Sequence, residues 1–196
     1  RTSLKRWLSL LLQEPRDSWL GLYWLMNTIQ RRLQLPGHRM SKEVNLNSIE
    51  QQMSISIALG RYDNARSKGI IDKKIGSQPN WITDLDGIGG EVACCKHFGV
   101  YPDTAIDLYD MPKYDLMTKK GSRVDVKTTK YKNGKLLATL NKKIDDCDIY
   151  LLVVGQFPKY DLIGWVESDK LIQTKNITNL GHGDGYALDQ EQLNTI

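Results

Sequence analysis

The chain has 196 residues, of which 40% are apolar and 26% charged; this mix excludes disorder over the whole length and allows one full hydrophobic core. Only three cysteines occur, Cys94, Cys95 and Cys147, with no CxxC spacing, so neither a disulfide framework nor a structural zinc site is expected and a reducing cytoplasm is the default. The longest apolar stretch, Trp19 to Met26, falls well short of the roughly 20 residues that span a bilayer, and the block Leu8 to Leu12 is too short for a signal-peptide core.

The formal charge of +4 is unevenly spread. Residues 1–39 hold seven basic and two acidic side chains, including six of the nine arginines, and the remainder is close to neutral. Met40-Ser41-Lys42-Glu43 reads as a natural start. The basic leader 1–39 is therefore expected to lie outside the folded unit 40–196. Three readings of it stay open: an amphipathic basic arm, the tail of another domain, or upstream translated sequence. Leu4, Leu8, Leu11 and Leu12 fall near one helical face, ended by Pro15.

Elements follow in order. Ser48 with Gln51 forms a capping-box pattern, and Ile49, Met53, Ile57 and Leu59 give a helical stripe reaching Ser67-Lys68-Gly69. Ile70 to Gln78 reads as a connection. A second helix is predicted from Thr83 or Asp84 to His97, closed by Gly99. The period then becomes that of strands: Tyr114 to Thr118, a turn at Lys119-Lys120-Gly121, and Arg123 to Tyr131. Lys132-Asn133-Gly134 reads as a hairpin turn returning Lys135 to Leu140 as a strand. Ile149 to Val154 is a continuous apolar run, as in a strand buried on both faces. Phe157-Pro158 turns it into a strand from Tyr160 to Val166. Ser168 is placed to cap a short helix, and Asp189 with Gln192 resembles a last helical turn. The pattern predicts an α/β or α+β unit around one mixed sheet.

Polar residues that interrupt the apolar logic mark candidate chemistry. On Arg123 to Thr129, alternation sends Val124 and Val126 to one face and Asp125, Lys127 and Thr129 to the other. The acid and the lysine can then reach one small ligand, or they form a solvated neutralising pair. A turn centred on residue 120 sets Asp115 opposite Asp125, an arrangement that destabilises a sheet unless a cation such as Mg²⁺ lies between the carboxylates. A register shifted by one residue would face them apart. Glu91 lies among Ile88, Cys94, Cys95 and Phe98 on the apolar stripe of its helix, which is costly unless it is paired or binds a cation; it can also sit at the stripe's edge. Gly87, Gly89 and Gly90 let the start of this helix approach another backbone, and they form no phosphate loop, since no Gly-Lys-Ser/Thr follows. Cys94-Cys95 reads as a buried helix pair, and the Gly181 to Gly185 segment as a flexible turn.

Gly90-Glu91, then Tyr114-Asp115-Leu116, then Val124-Asp125-Val126-Lys127 spell E…D…DxK in the order helix, strand, strand. This pattern resembles the PD-(D/E)XK nuclease superfamily, phage and restriction-type members included, over roughly residues 50 to 175. Tyr114 stands where the name of the motif has proline. A literal Pro-Asp occurs at Pro102-Asp103, in a predicted loop, with Asp107 and Asp110 as weaker rivals. The resemblance implies a restriction-endonuclease-like α/β core with a central mixed sheet flanked by helices. It implies a Mg²⁺-dependent deoxyribonuclease, with Mn²⁺ as a substitute and an endonuclease ahead of an exonuclease. Asp115, Asp125 and the backbone carbonyl of Val126 would ligate metal, Glu91 would hold a second metal or its water, and Lys127 would stabilise charge at the phosphate. DNA is the expected partner, met by Lys119, Lys120, Arg123, Lys130 and Lys132, with Lys135, Lys142 and Lys143 nearby. A homodimer is open, no membrane association is expected, and the setting would be the cytoplasm of a bacterial or phage-infected cell. The alternative is a non-catalytic nucleic-acid-binding or assembly subunit that keeps the scaffold.

Overall fold

The computed structural model describes residues 41–69, 80–107, 112–179 and 183–196. The leader, the predicted connection after Gly69, Asp110 and the turn at Gly181-His182 lie outside the described residues.

The architecture is α/β with a central mixed sheet, the class that the sequence predicts. Strand β1 (Lys42–Asn45) precedes helix α1 (Ser48–Ser67) and helix α2 (Asn80–Phe98). Strands β2 (Leu116–Met117), β3 (Arg123–Thr129), β4 (Leu136–Thr139), β5 (Ile149–Gln156) and β6 (Lys159–Glu167) follow. A one-turn helix α3 (Ser168–Leu171) leads to β7 (Ile177–Asn179) and β8 (Asp184–Leu188). The five-stranded sheet has the order β1-β6-β5-β3-β2, in which β3 and β5 are parallel and the other pairs antiparallel. A separate antiparallel sheet has the order β4-β8-β7.

The large sheet is covered on both faces. Val124, Val126, Leu151, Val153, Tyr160 and Leu162 pack with α1 and α2. Tyr150, Leu152, Val154, Ile163 and Val166 pack instead with β4, β8 and α3. The two long helices thus flank one face, and the small sheet with the one-turn α3 covers the other. This double covering makes β5 a run of five buried residues, Tyr150 to Val154. A bulge in β6 at Ile163 shifts the alternation, so that Ile163 and Val166, three residues apart, enter the same core while Tyr160 and Leu162 enter the other.

The predicted hairpin between β3 and β4 is corrected. The turn forms, and the Gly134 N–H donates to the Tyr131 carbonyl at 2.8 Å. However, β3 already pairs with β2 on one edge and β5 on the other. β2 covers only the start of its edge, at Arg123 and Val124, yet β4 does not take up the rest: it crosses over the sheet and pairs with β8. The parallel β3–β5 pair requires such a long crossover, here residues 130–148.

Several local expectations also shift. Asn47, not Ser48, caps α1: its side chain accepts from the Ile49 and Glu50 N–H groups, and Glu50 accepts from the Asn47 N–H at 2.7 Å. The predicted stripe of α1 is half wrong, with Ile49 70% and Leu59 44% exposed. Its buried face is Ser54, Ile57, Ala58 and Ala65, because small residues let α1 lie close to α2. Helix α2 begins earlier than predicted, at Asn80, and ends before Gly99 as expected. Ser168 is the first residue of α3, not its cap. Asp189 and Gln192 do form a capped turn. Strands β1, β7 and β8 were not foreseen; each is five residues or fewer and carries no long apolar alternation. The three cysteines are free and buried. Among the described residues, no helix is long and apolar enough to cross a membrane.

The glycines of α2 act in mid-helix and against side chains, not at its start against backbone. A Cβ on Gly89 would overlap the Tyr160 hydroxyl, and one on Gly90 would overlap Thr128 Oγ1. Gly87 faces open space. Gly90→Ala should therefore destabilise the fold by about 1–3 kcal/mol, and adding Thr128→Ala should recover part of that loss, both read from urea unfolding.

Candidate active site

The site is built on β3. Alternation seats Val124 and Val126 in the helix-side core, so Asp125 and Lys127 share the opposite face, beside Tyr150 and Leu152 of β5. Asp125 is 1% exposed. A carboxylate so placed needs compensating charge. Lys127 and Lys142 provide it: Lys127 Nζ forms an ion pair with Oδ1, and Lys142 Nζ pairs with and donates to Oδ2. Both carboxylate oxygens of Asp125 are thus engaged by ammonium groups.

Asp115 arrives from the turn side. The pairs Leu116–Val124 and Met117–Arg123 extend to Asp115 opposite Asp125, the register expected from the turn. Gly121, at φ +86°, permits that turn. Beyond Leu116 the ladder becomes irregular: the Asp115 N–H donates to the Val124 carbonyl at 2.9 Å, and Asp115 Oδ2 accepts from the Val126 N–H at 2.6 Å. The Asp115 carboxylate thus occupies the edge of β3 where β2 has ended. By strand alternation the Val126 carbonyl leaves the same edge. Burial, then the charge of Asp125, pushes the Asp115 carboxyl up to about 6.

Glu91 comes from α2, on the helix side, and is 20% exposed. Arg61 of α1 lies 3.5 Å from it and also contacts Asp103 at 3.4 Å. Burial raises the Glu91 carboxyl well above the ordinary range, and Asp115 acts on it more strongly than Asp125 does. Asp115 therefore links the helix-side acid to the acid on β3. Burial alone would depress Lys127, but the carboxylates of Asp125, Asp115 and Glu91 hold its ammonium above its usual range.

All four residues of the E…D…DxK pattern thus share one electrostatic neighbourhood. Three carboxylates face three cations, Arg61, Lys127 and Lys142. Among the described residues, no three Asp, Glu, His or Cys side chains are gathered closely enough to hold an ion as they stand. The donor chemistry nevertheless fits a hard divalent cation, because the carboxylates of Glu91, Asp115 and Asp125 and the Val126 carbonyl present only oxygen.

Of the rivals, Asp103 adjoins the site through Arg61, and Asp107 lies apart from it. Asp103 engages Arg61, and Asp107 pairs with Lys68 at 2.7 Å. Of the predicted DNA contacts, Lys119, Lys120, Lys130 and Lys132 are exposed. Arg123 is partly committed, pairing with Asp148 at 2.7 Å and donating to the Asp145 carbonyl at 2.8 Å. Lys142 and Arg61 are the site members that sequence reasoning did not place. Lys142 was visible only as one more lysine, since its approach to Asp125 depends on the crossover.

The raised Asp115 carboxyl has a consequence for stability. Between about pH 4 and 6 the folded chain holds a proton that the unfolded chain releases, so this group's contribution to stability falls as pH rises through that window. In metal-free buffer, Asp115→Asn should unfold at a higher temperature than the natural chain at pH 8, and the gap should shrink toward pH 4. Thermal unfolding across pH in EDTA checks this.

Neither a family model nor a curated protein matched this chain in the comparisons made.

Proposed function

We propose that this chain is a divalent-cation-dependent nuclease that hydrolyses DNA phosphodiester bonds on a restriction-endonuclease-like core. What supports the reading is that Asp125 and Lys127 pair on β3, that the Asp115 carboxylate accepts from the Val126 N–H beside them, and that Glu91 senses the charge of both acids and of Lys127. A pure scaffold has little use for three neighbouring carboxylates in a largely buried setting, two of which, Glu91 and Asp115, hold protons more tightly than usual.

Asp125, Asp115 and the Val126 carbonyl would hold Mg²⁺, with Mn²⁺ as a substitute, and Glu91 would hold a second ion or its water. The bound ion supplies hydroxide at neutral pH and positive charge at the phosphoryl oxygens. Lys127 remains an ammonium at neutral pH and faces the charge that develops on the phosphate. Lys142 keeps a second ammonium at the same carboxylate. With one divalent cation added, three carboxylates and three basic side chains leave a net positive centre, suited to a phosphodiester. The exposed Lys119, Lys120, Lys130 and Lys132 flank β3 and would meet neighbouring phosphates, with Arg123 contributing less because Asp148 engages it. An endonuclease is preferred to an exonuclease, a homodimer is compatible with it, and the cytoplasm of a bacterial or phage-infected cell is the matching setting.

One observation favours a second reading. Both oxygens of Asp125 are paired with lysines, as in a neutralised structural site, which suits a non-catalytic nucleic-acid-binding or assembly subunit. Cation binding separates the two.

The full chain should cleave plasmid, linear duplex or single-stranded DNA in Mg²⁺ or Mn²⁺ and not in EDTA. Asp125→Asn should lose both Mn²⁺ binding, read by electron paramagnetic resonance, and cleavage. Lys127→Ala should keep Mn²⁺ binding and lose on the order of 10²–10³ in rate. Absence of Mn²⁺ binding and of cleavage in the folded natural chain would instead select the scaffold reading. Lys142→Ala, which leaves Lys127 as the sole partner of Asp125, should lower the unfolding temperature and give a smaller rate loss than Lys127→Ala, measured on the same substrates.

A further inference from the structure

A cleft of about 490 Å³ opens between the two sheets and begins at the candidate site, since Lys127 is part of its lining. Thr129 continues the β3 wall, Tyr131 and Lys135 come from the turn that starts the crossover, Asn179 comes from β7, and Leu137 of β4 contributes an apolar surface. We propose that this cleft receives an unpaired nucleotide next to the phosphate held at Lys127, so that the preferred substrate is single-stranded DNA or a duplex with a frayed or overhanging strand. This inference rests on the nuclease reading for the identity of the ligand as nucleic acid.

Size and chemistry carry it. The volume lies in the range of small-ligand pockets and is far too small for a duplex. A nucleotide presents an aromatic face, hydrogen-bonding edges and a phosphate, and the lining answers each. Tyr131 is 64% exposed and offers a ring for stacking, with the Lys130 ammonium 5.6 Å from its centroid. Thr129 and Asn179 add a hydroxyl, which accepts from the Tyr131 N–H at 3.3 Å, and an amide, which donates to Asp184 at 3.3 Å. Lys127 and Lys135 bring ammonium groups; Lys135 also pairs with Asp189 at 3.0 Å in an exposed contact that a phosphate can replace at little cost. Stacking on an aromatic ring beside basic groups is how single strands are held without sequence readout. The cleft exists because β4 leaves β3 at this point, so its entrance and the candidate site share one strand.

The test uses the full 196-residue chain in EDTA, which separates binding from cleavage. Fluorescence anisotropy is read with a labelled thymidine oligonucleotide and with a blunt duplex of the same length. The single strand is expected to bind more tightly than the duplex. Tyr131→Ala should weaken single-strand binding about tenfold, Tyr131→Phe should retain it, and duplex binding should not change in either variant. Tyr131 is exposed, so both variants should fold, which circular dichroism checks. Single-strand affinity indifferent to Tyr131→Ala, or equal losses for both DNA forms, would overturn the proposal. A chain that never cleaves DNA yet shows Tyr131-dependent single-strand binding would remove the nuclease reading and keep this one. A metal-dependent nuclease whose DNA binding ignores Tyr131 would do the reverse.

Discussion

A carboxylate buried in the middle of a sheet sets the terms for what surrounds it. Asp125 lies between two core valines on a strand whose edges are both hydrogen-bonded, and it is almost wholly withdrawn from water. Leaving such a charge unpaired costs about 3–5 kcal/mol, whereas pairing it adds little net stability beyond what an apolar residue would give. The lysines at Asp125 are therefore better understood as what the carboxylate demands than as a source of stability. One comes from β3 itself. The other, Lys142, comes from the turn after β4, whose backbone closes between the Lys142 N–H and the Thr139 carbonyl at 3.1 Å. The charge on β3 thus ties the small sheet to the large one.

The pairing of β3 has a second effect. With β2 and β5 on its edges, the chain must cross the sheet before returning as β5, and β4 travels with that crossover. The small sheet then covers the face of β5 that the helices do not, which is why β5 is apolar on both sides. The same departure opens the cleft beside Lys127. One topological necessity accounts for the double covering, the position of Lys142 and the cleft.

The acidic side of the site works against the fold. Asp115 and Glu91 both hold protons more tightly than free carboxyls, chiefly because burial disfavours their charge and then because they repel one another and Asp125. Carboxylates arranged to repel are stabilised by whatever cation they bind, so the residues that weaken the empty fold are those that a metal-dependent reaction would require.

Much of this was legible in the chain alone. The order helix, strand, strand, the turn centred on residue 120 and the resulting opposition of Asp115 and Asp125 follow from local periodicity and turn chemistry, which depend on neighbours within a few residues. The burial of Ile149 to Val154 and the buried pair Cys94-Cys95 were equally plain, because an unbroken apolar run or stripe has few other uses. What local pattern could not determine was which strand takes the second edge of β3. A Lys-Asn-Gly turn argues for a hairpin, and only the non-local pairings of β3 with β5 and of β4 with β8 show that the strand after the turn goes elsewhere. Lys142, Arg61, the small-residue face of α1 and the cleft all depend on that choice or on how α1 packs against α2. The sequence by itself determined the candidate residues and the strand that presents them. The tertiary structure decided which cations surround them and what shape lies beside them, because those contacts join residues far apart in the chain.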